Sequence, residues 1–144
     1  MTKDGSFAKA SILNRKDFEK EVELSIAAVP EEFLSRVENL SFQVEDWPDA
    51  ETLEEVGFDD PRDLLGYYRG LPLSERSHDY GGFLPDVITI YQGAVEDYVR
   101  ETGEPFRKVI RETIIHELAH YFGFSEEDMD AIERLWAAEG DGKS

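Results

Sequence analysis

The chain has 144 residues, enough for one compact domain and too few for two. Its 33 acidic and 15 basic residues give a net charge of -18, which repels phosphates, so we expect no nucleic acid and no membrane among its partners. The absence of cysteine excludes disulfides, thiolate metal sites and cysteine catalysis. No apolar run is long enough for a signal peptide or a membrane span, and we expect a soluble, cytoplasmic protein.

The first third of the chain predicts two helices and a strand. Residues 1–14 are small and polar, and we expect a flexible tail there. Apolar positions on a charged background predict an amphipathic helix over 15–28. Pro30, followed by two acids, predicts the start of a second helix. The alternation in "NLSFQVEDW" predicts a half-buried strand with its apolar residues on one face.

The middle of the chain predicts a small sheet. "DAETLEEVGF" is typical of a short helix that ends at Gly57, and "RDLLGYYRGLPL" indicates a second strand near 64–69. Residues 71–86 form a long connection rich in Gly, Pro and Ser, and loops of this length are often functional or mobile. "VITIYQ", residues 87–92, is the clearest strand because it is rich in β-branched residues.

The last third predicts three helices. "AVEDYVRETG" ends at a glycine, "PFRKVIRETIIHELAHYF" is the longest helix pattern, and "SEEDMDAIERLWAAE" begins with a capping-box pattern from Ser125 to Asp128. The whole order predicts an α+β fold, a helix-rich single domain over 15–139 with a small central sheet of about three strands. We expect a short flexible tail over 140–144.

Two histidines lie four residues apart in the longest helix. That spacing puts His116 and His120 on one face, with Cβ atoms about 5–6 Å apart, so that both imidazoles can converge on one metal ion. Glu117 lies one position further round and can reach water bound to that metal. Zinc lowers the pKa of such water towards about 7, which suits Glu117 as a general base in peptide hydrolysis. Two core imidazoles would instead each need a polar partner.

The segment "HELAHYFGFSEEDMD" resembles the minimal zincins, a bacterial family of small zincin-like metallopeptidases with the motif His-Glu-x-x-His-x-x-Gly-x-x-Asp. "LLGYYRGLPLSERS" and "YGGFLPDVITIYQG" also resemble segments of that family, and the likeness covers roughly residues 30–138. The resemblance implies a zincin-like fold with the motif on a long helix. It implies that His116 and His120 are zinc ligands, that Glu117 is the catalytic base, and that Gly123 turns the chain back towards the metal.

The third ligand is where this sequence departs from the family. The position that commonly holds Asp is Glu126, which can bind zinc through oxygen but is one methylene longer. An acid in the first turn of a helix can also simply stabilise the helix dipole. Several other acids and the remaining histidine are open alternatives for this position, namely Glu127, Asp128, Asp130, Glu133 and His78.

A peptidase site also needs a group that stabilises the oxyanion and a surface that holds the substrate backbone. Stabilisation of an oxyanion needs a donor beyond the metal, and four residues are candidates, namely Tyr80, His78, Tyr91 and Arg69. In larger zincins an edge strand holds the substrate backbone, and the resemblance implies that "VITIYQ" or a neighbouring strand plays that part.

Two functions follow from these observations. The first is a zinc-dependent metallopeptidase acting on a peptide or protein substrate, with Glu117 as general base. The second is a non-catalytic protein on a zincin fold, which binds metal weakly or structurally, or binds a peptide or protein partner. The uncertain third ligand and the small size of the chain motivate the second hypothesis.

Overall fold

In the computed structural model of this protein, residues 13–72, 75, 86–125, 127, 128, 130, 131 and 134 are described. The helices of this part are α1 (Arg15–Ala27), α2 (Glu31–Leu34), α3 (Ala50–Val56), α4 (Gln92–Thr102) and α5 (Phe106–Phe122). The strands are β1 (Leu40–Glu45), β2 (Gly66–Arg69) and β3 (Asp86–Tyr91), and a 3-10 turn over Pro61–Asp63 precedes β2. The predicted α+β class, helix-rich with a small three-stranded sheet, is confirmed.

The sheet has the order β1-β3-β2. β1 runs parallel to β3, while β2 runs antiparallel to it. The strand predicted from "VITIYQ" is therefore central, with main-chain partners on both sides. It therefore has no free edge with which to hold a substrate backbone. Of the two possibilities that the resemblance implied for that role, only a neighbouring strand remains.

The two faces of the sheet contact different clusters of apolar side chains. The predicted alternation of β1 is confirmed, since Phe42 and Val44 lie in register with Ile88 and Ile90 on the face that meets the main core. Tyr91 belongs to the opposite face, in a smaller cluster that is completed by Leu64, Ala94 and residues of α3. Both faces are thus covered by helices or loops, which is why β3 is almost wholly buried.

Helix α5 contacts most of the other elements. It packs against α1, where the rings of Phe18 and Phe106 meet edge to face at 5.7 Å, and against α4 and β2. It ends at Gly123, whose φ of 79° is left-handed and whose N–H donates to Ala119 and His120. The turn predicted at Gly123 is confirmed, and it ends the helix three residues after the second histidine.

Several of the predicted chain segments differ in extent or lie outside the described residues. The helix predicted from Pro30 is a single turn, and the chain continues in tighter turns in which the N–H groups of Arg36 and Val37 donate to the carbonyls three residues earlier. The predicted capping box is confirmed, since Ser125 and Asp128 each donate a main-chain N–H to the other's side chain at 3.2 Å. Residues 1–12 and 135–144 lie outside the described part. No helix in the described part is long and apolar enough to cross a membrane.

The Tyr121 hydroxyl links α5 to the segment that precedes β1, and removing this hydroxyl tests how much the link stabilises the fold. The N–H of Glu38 donates to the Tyr121 hydroxyl at 2.7 Å, and the hydroxyl donates to the Glu38 carbonyl at 2.8 Å. Tyr121→Phe should lower the free energy of unfolding by about 1–3 kcal/mol, since it leaves both main-chain groups without this partner. Urea unfolding measures the loss. Tyr98→Phe, at a residue that is 37% exposed, is the control, and equal stability of both variants would contradict the account.

Candidate active site

The two histidines of α5 converge at their outer ring nitrogens. Nε2 of His116 and Nε2 of His120 lie 3.1 Å apart. The ring centroids are separated by 4.7 Å and the ring planes are 79° apart, so the rings do not stack on each other. Helical spacing alone produces this convergence, because the two residues are one turn apart on the same face.

This separation fits two ligands of one tetrahedral metal ion. Two nitrogens at about 2.0–2.1 Å from zinc, at a tetrahedral angle, lie about 3.3–3.4 Å from each other. The 3.1 Å found between the histidine nitrogens is close to that value. Burial lowers the pKa of both imidazoles, and for His120 the neighbouring His116 lowers it further. Both shifts favour the neutral form of the ring, which a metal ligand must have.

Glu117 is the acidic residue closest to the pair in the sequence and is buried, with 6% of its surface exposed. Burial raises the pKa of its carboxyl to about 8. A hydrogen bond from the main chain of Tyr68 lowers this pKa, but by less than burial raises it. A cation beside the carboxyl would favour its ionised form, because an opposite charge stabilises a carboxylate. The site thus combines a buried acid with two neutral nitrogens able to hold such a cation.

The hydrogen bond from Tyr68 places the edge strand β2 against the site. The N–H of Tyr91 donates to the Leu65 carbonyl at 2.9 Å. In an antiparallel pair, every second residue bonds to the partner strand, so from Leu65 onwards the main-chain groups of β2 alternately face β3 and face away from it. By this alternation the main-chain groups of Gly66 and Tyr68 point away from β3, towards α5. The N–H of Tyr68 meets the Glu117 carboxyl there.

Gly66 allows β2 and α5 to approach this closely. A Cβ at Gly66 would lie 2.7 Å from Cγ2 of Thr113 and 3.2 Å from Cγ of Glu117. The first distance is shorter than side chains tolerate, so any larger residue would push the strand and the helix apart. The absence of a side chain at Gly66 therefore determines how near Glu117 lies to the strand.

A cleft between β2 and α5 opens in two lobes that meet at His116, Glu117 and Gly66. We call one the acidic lobe; its volume is about 380 Å³ and Asp63, Glu112 and Tyr98 belong to its lining. We call the other the aromatic lobe; its volume is about 390 Å³ and its lining includes residues 67, 68 and 72, together with His120. Each lobe has the size of a small-ligand pocket. A chain bound along the cleft would pass directly over the buried acid.

Comparison with known proteins identifies a family. Residues 37–136, more than half of the chain, match the family of zincin-like metallopeptidases.

The chain belongs to the zincin-like metallopeptidase family.

The resemblance inferred from the motif is thereby confirmed. A conserved hypothetical protein from Thermo thermophilus, known as a solved structure, is 25% identical to this zincin-like chain, with a TM-score of 0.49. The alignment covers 75% of this chain and 92% of the other. Among proteins with curated descriptions, none matches significantly.

Among the described residues of this zincin-like protein, no group of three potential metal ligands is formed. Three of the alternatives for the third ligand are described and exposed, namely Glu127, Asp128 and Asp130. The carboxylate of Asp128 accepts the N–H of Ser125 in the cap described above. The favoured candidate Glu126 and the alternatives Glu133 and His78 lie outside the described residues.

The residues considered as oxyanion donors are not brought to the histidine pair where the structure describes them. Arg69 lies over the ring of Tyr67, 5.1 Å from its centroid, and its guanidinium contacts Glu55 at 3.4 Å. Tyr91 faces the smaller cluster on the other side of the sheet, where burial raises the pKa of its hydroxyl to about 12. His78 and Tyr80 lie outside the described residues.

Gly66 and Tyr68 are the site residues that sequence reasoning missed. A glycine within a strand pattern is a known sign of a bulge or of close backbone approach. That sign was present in "LLGYYRG" but did not identify the partner. The partner residue Thr113 lies 47 positions further along the chain, and only the fold brings them together.

Gly66→Ala should lower the free energy of unfolding by about 1–3 kcal/mol, because the new methyl group overpacks the contact with Thr113. Thr113→Ser removes the clashing Cγ2 atom and should recover part of that loss in the double variant. Thermal or urea unfolding of the four proteins forms a double-mutant cycle. Simple additivity of the two substitutions would show that the strand and the helix are not in close contact here.

Proposed function

We propose that this protein is a zinc-dependent metallopeptidase that hydrolyses peptide bonds. The observation that carries the proposal is the convergence of the two Nε2 atoms at 3.1 Å in a cleft that the buried Glu117 also lines. Membership of the zincin-like family supports the same chemistry. His116 and His120 would hold the ion, with Glu126 as the third ligand that the motif implies.

Zinc, when bound, supplies Lewis acidity, which polarises a carbonyl and lowers the pKa of water towards about 7. The chain supplies proton transfer. Glu117 would take the proton from the attacking water and deliver it to the leaving amine. The main-chain N–H of Tyr68 donates to the carboxyl and holds it in place. The two lobes of the cleft would hold the peptide on either side of the bond to be cleaved.

The zinc site can be tested by substitution of each ligand. His116→Gln and His120→Gln should each weaken zinc binding by at least about 100-fold, since losing even a group that hydrogen-bonds to a ligand costs about 10–100-fold. Glu126→Ala should also weaken binding, whereas Glu127→Ala, at an exposed neighbouring acid, should leave it unchanged. Zinc affinity is measured by competition with a chromogenic chelator, and zinc content by elemental analysis.

If Glu127→Ala or His78→Gln lowers the zinc affinity and Glu126→Ala does not, the third ligand is a residue other than Glu126. Unchanged zinc affinity in both histidine variants would overturn the site itself.

Glu117→Gln tests catalysis separately from metal binding. It should lower the rate of hydrolysis of fluorogenic peptides by about 10²–10⁴-fold, because an amide cannot take up the proton. Zinc content should stay at the wild-type level. Glu101→Gln, at an exposed acid on α4, provides a control with the same change in charge. Equal hydrolysis by Glu117→Gln and wild type, both loaded with zinc, would contradict the proposed role.

The non-catalytic alternative has its own signature in the same experiments. It predicts zinc binding or peptide binding without hydrolysis by the wild-type protein. A site closed by four protein ligands would favour this alternative, because catalytic zinc keeps one position open.

A further inference from the structure

The acidic lobe of the cleft has an uneven distribution of charge. Asp63, Glu112 and Glu117 are among the described residues that line it, and no lysine or arginine is among them. Asp63 comes from the 3-10 turn before β2, and Glu112 comes from α5, so that acidic residues line the lobe from two elements. A side chain that enters this lobe therefore meets negative charge on two sides.

Apolar surface lies between and around these carboxylates. Leu64 and Val109 are buried in the lining and form an apolar floor. Phe58 and Tyr98 also line the lobe, and they remain 39% and 37% exposed. Aromatic faces attract cations, and long alkyl stems pack on apolar surface while their charged ends stay near water. A long cationic side chain matches this combination better than a short or purely apolar one.

Two cations that neighbour acidic residues of the lobe in the sequence are already paired. The guanidinium of Arg62 contacts the Asp60 carboxylate at 2.7 Å. The ammonium of Lys108 lies 2.6 Å from Glu104 and 3.3 Å from Glu112. Glu104, Lys108 and Glu112 together carry a charge of -1, and Asp63 brings this to -2. Among these described side chains, acidic groups therefore remain in excess before a metal ion is bound.

We propose that the acidic lobe is a subsite for a lysine or arginine side chain of the bound peptide. This inference rests on the proposed function, because the lobe begins at His116 and Glu117 and would hold a residue near the bond to be cleaved. The alkyl stem lies on the apolar floor, and the charged end lies between Asp63 and Glu112 beneath the aromatic rim.

Peptide binding to the zinc-loaded Glu117→Gln protein tests the subsite without hydrolysis. The probes are labelled octapeptides of alanine and leucine in which a single lysine is moved along the sequence, and each has a counterpart with norleucine. Norleucine keeps the alkyl stem and removes the charge. By fluorescence anisotropy at low salt, lysine at one position should bind about tenfold more tightly than norleucine, given weak charge pairs and one cation–π contact. The advantage should shrink in 0.5 M salt.

The net charge of -18 attracts any cation, so matched variants are needed to localise the effect. Asp63→Asn should reduce the advantage of lysine about threefold, as expected for one exposed charge pair. Glu23→Gln changes the charge equally at an exposed position of α1 outside the lining and should leave the advantage intact. Thermal unfolding checks that both variants are folded.

Two results would overturn the inference: equal binding of lysine and norleucine at every position, or an advantage that Glu23→Gln reduces as much as Asp63→Asn. The proposed function fails in a different way. A wild-type protein that binds the lysine peptide selectively but cleaves none of the set supports the subsite and contradicts the peptidase. Cleavage without preference for lysine supports the peptidase and contradicts the subsite.

Discussion

The candidate site depends on the close packing of the edge strand β2 against helix α5. Gly66 has no side chain, so the strand approaches Thr113 and Glu117 closely enough for the Tyr68 N–H to reach the Glu117 carboxyl. The same contact sets the width of the cleft, since β2 and α5 form its walls. It also gives one outward main-chain donor of this edge strand, the Tyr68 N–H, a partner.

Burial of Glu117 links the fold to the chemistry of the site. A carboxyl whose pKa is raised to about 8 is a poor base when protonated, and it needs a neighbouring cation to be ionised near neutral pH. The two neutral imidazoles beside it can bind such a cation but supply no positive charge of their own. The proposed zinc ion would therefore stabilise the ionised base as well as activate water. This requirement gives the buried acid and the histidine pair one common explanation.

Local patterns in the sequence predicted most of the fold and the centre of the site. The helix that carries His116 and His120 was predicted from its pattern, and four-residue spacing was enough to place both rings on one face. Strand order was not predictable in this way, because pairing of "VITIYQ" with strands on both sides is a long-range property. For the same reason the sequence did not identify Gly66 as the partner of Thr113, or reveal the cleft between their elements.

A crystal structure of the zinc-loaded protein tests the central claim most directly. We expect one zinc ion bonded to Nε2 of both His116 and His120, with one further protein ligand and an open position that faces the cleft beside Glu117. A pair of histidines without metal at saturating zinc, or a zinc ion closed by four protein ligands, would contradict the account.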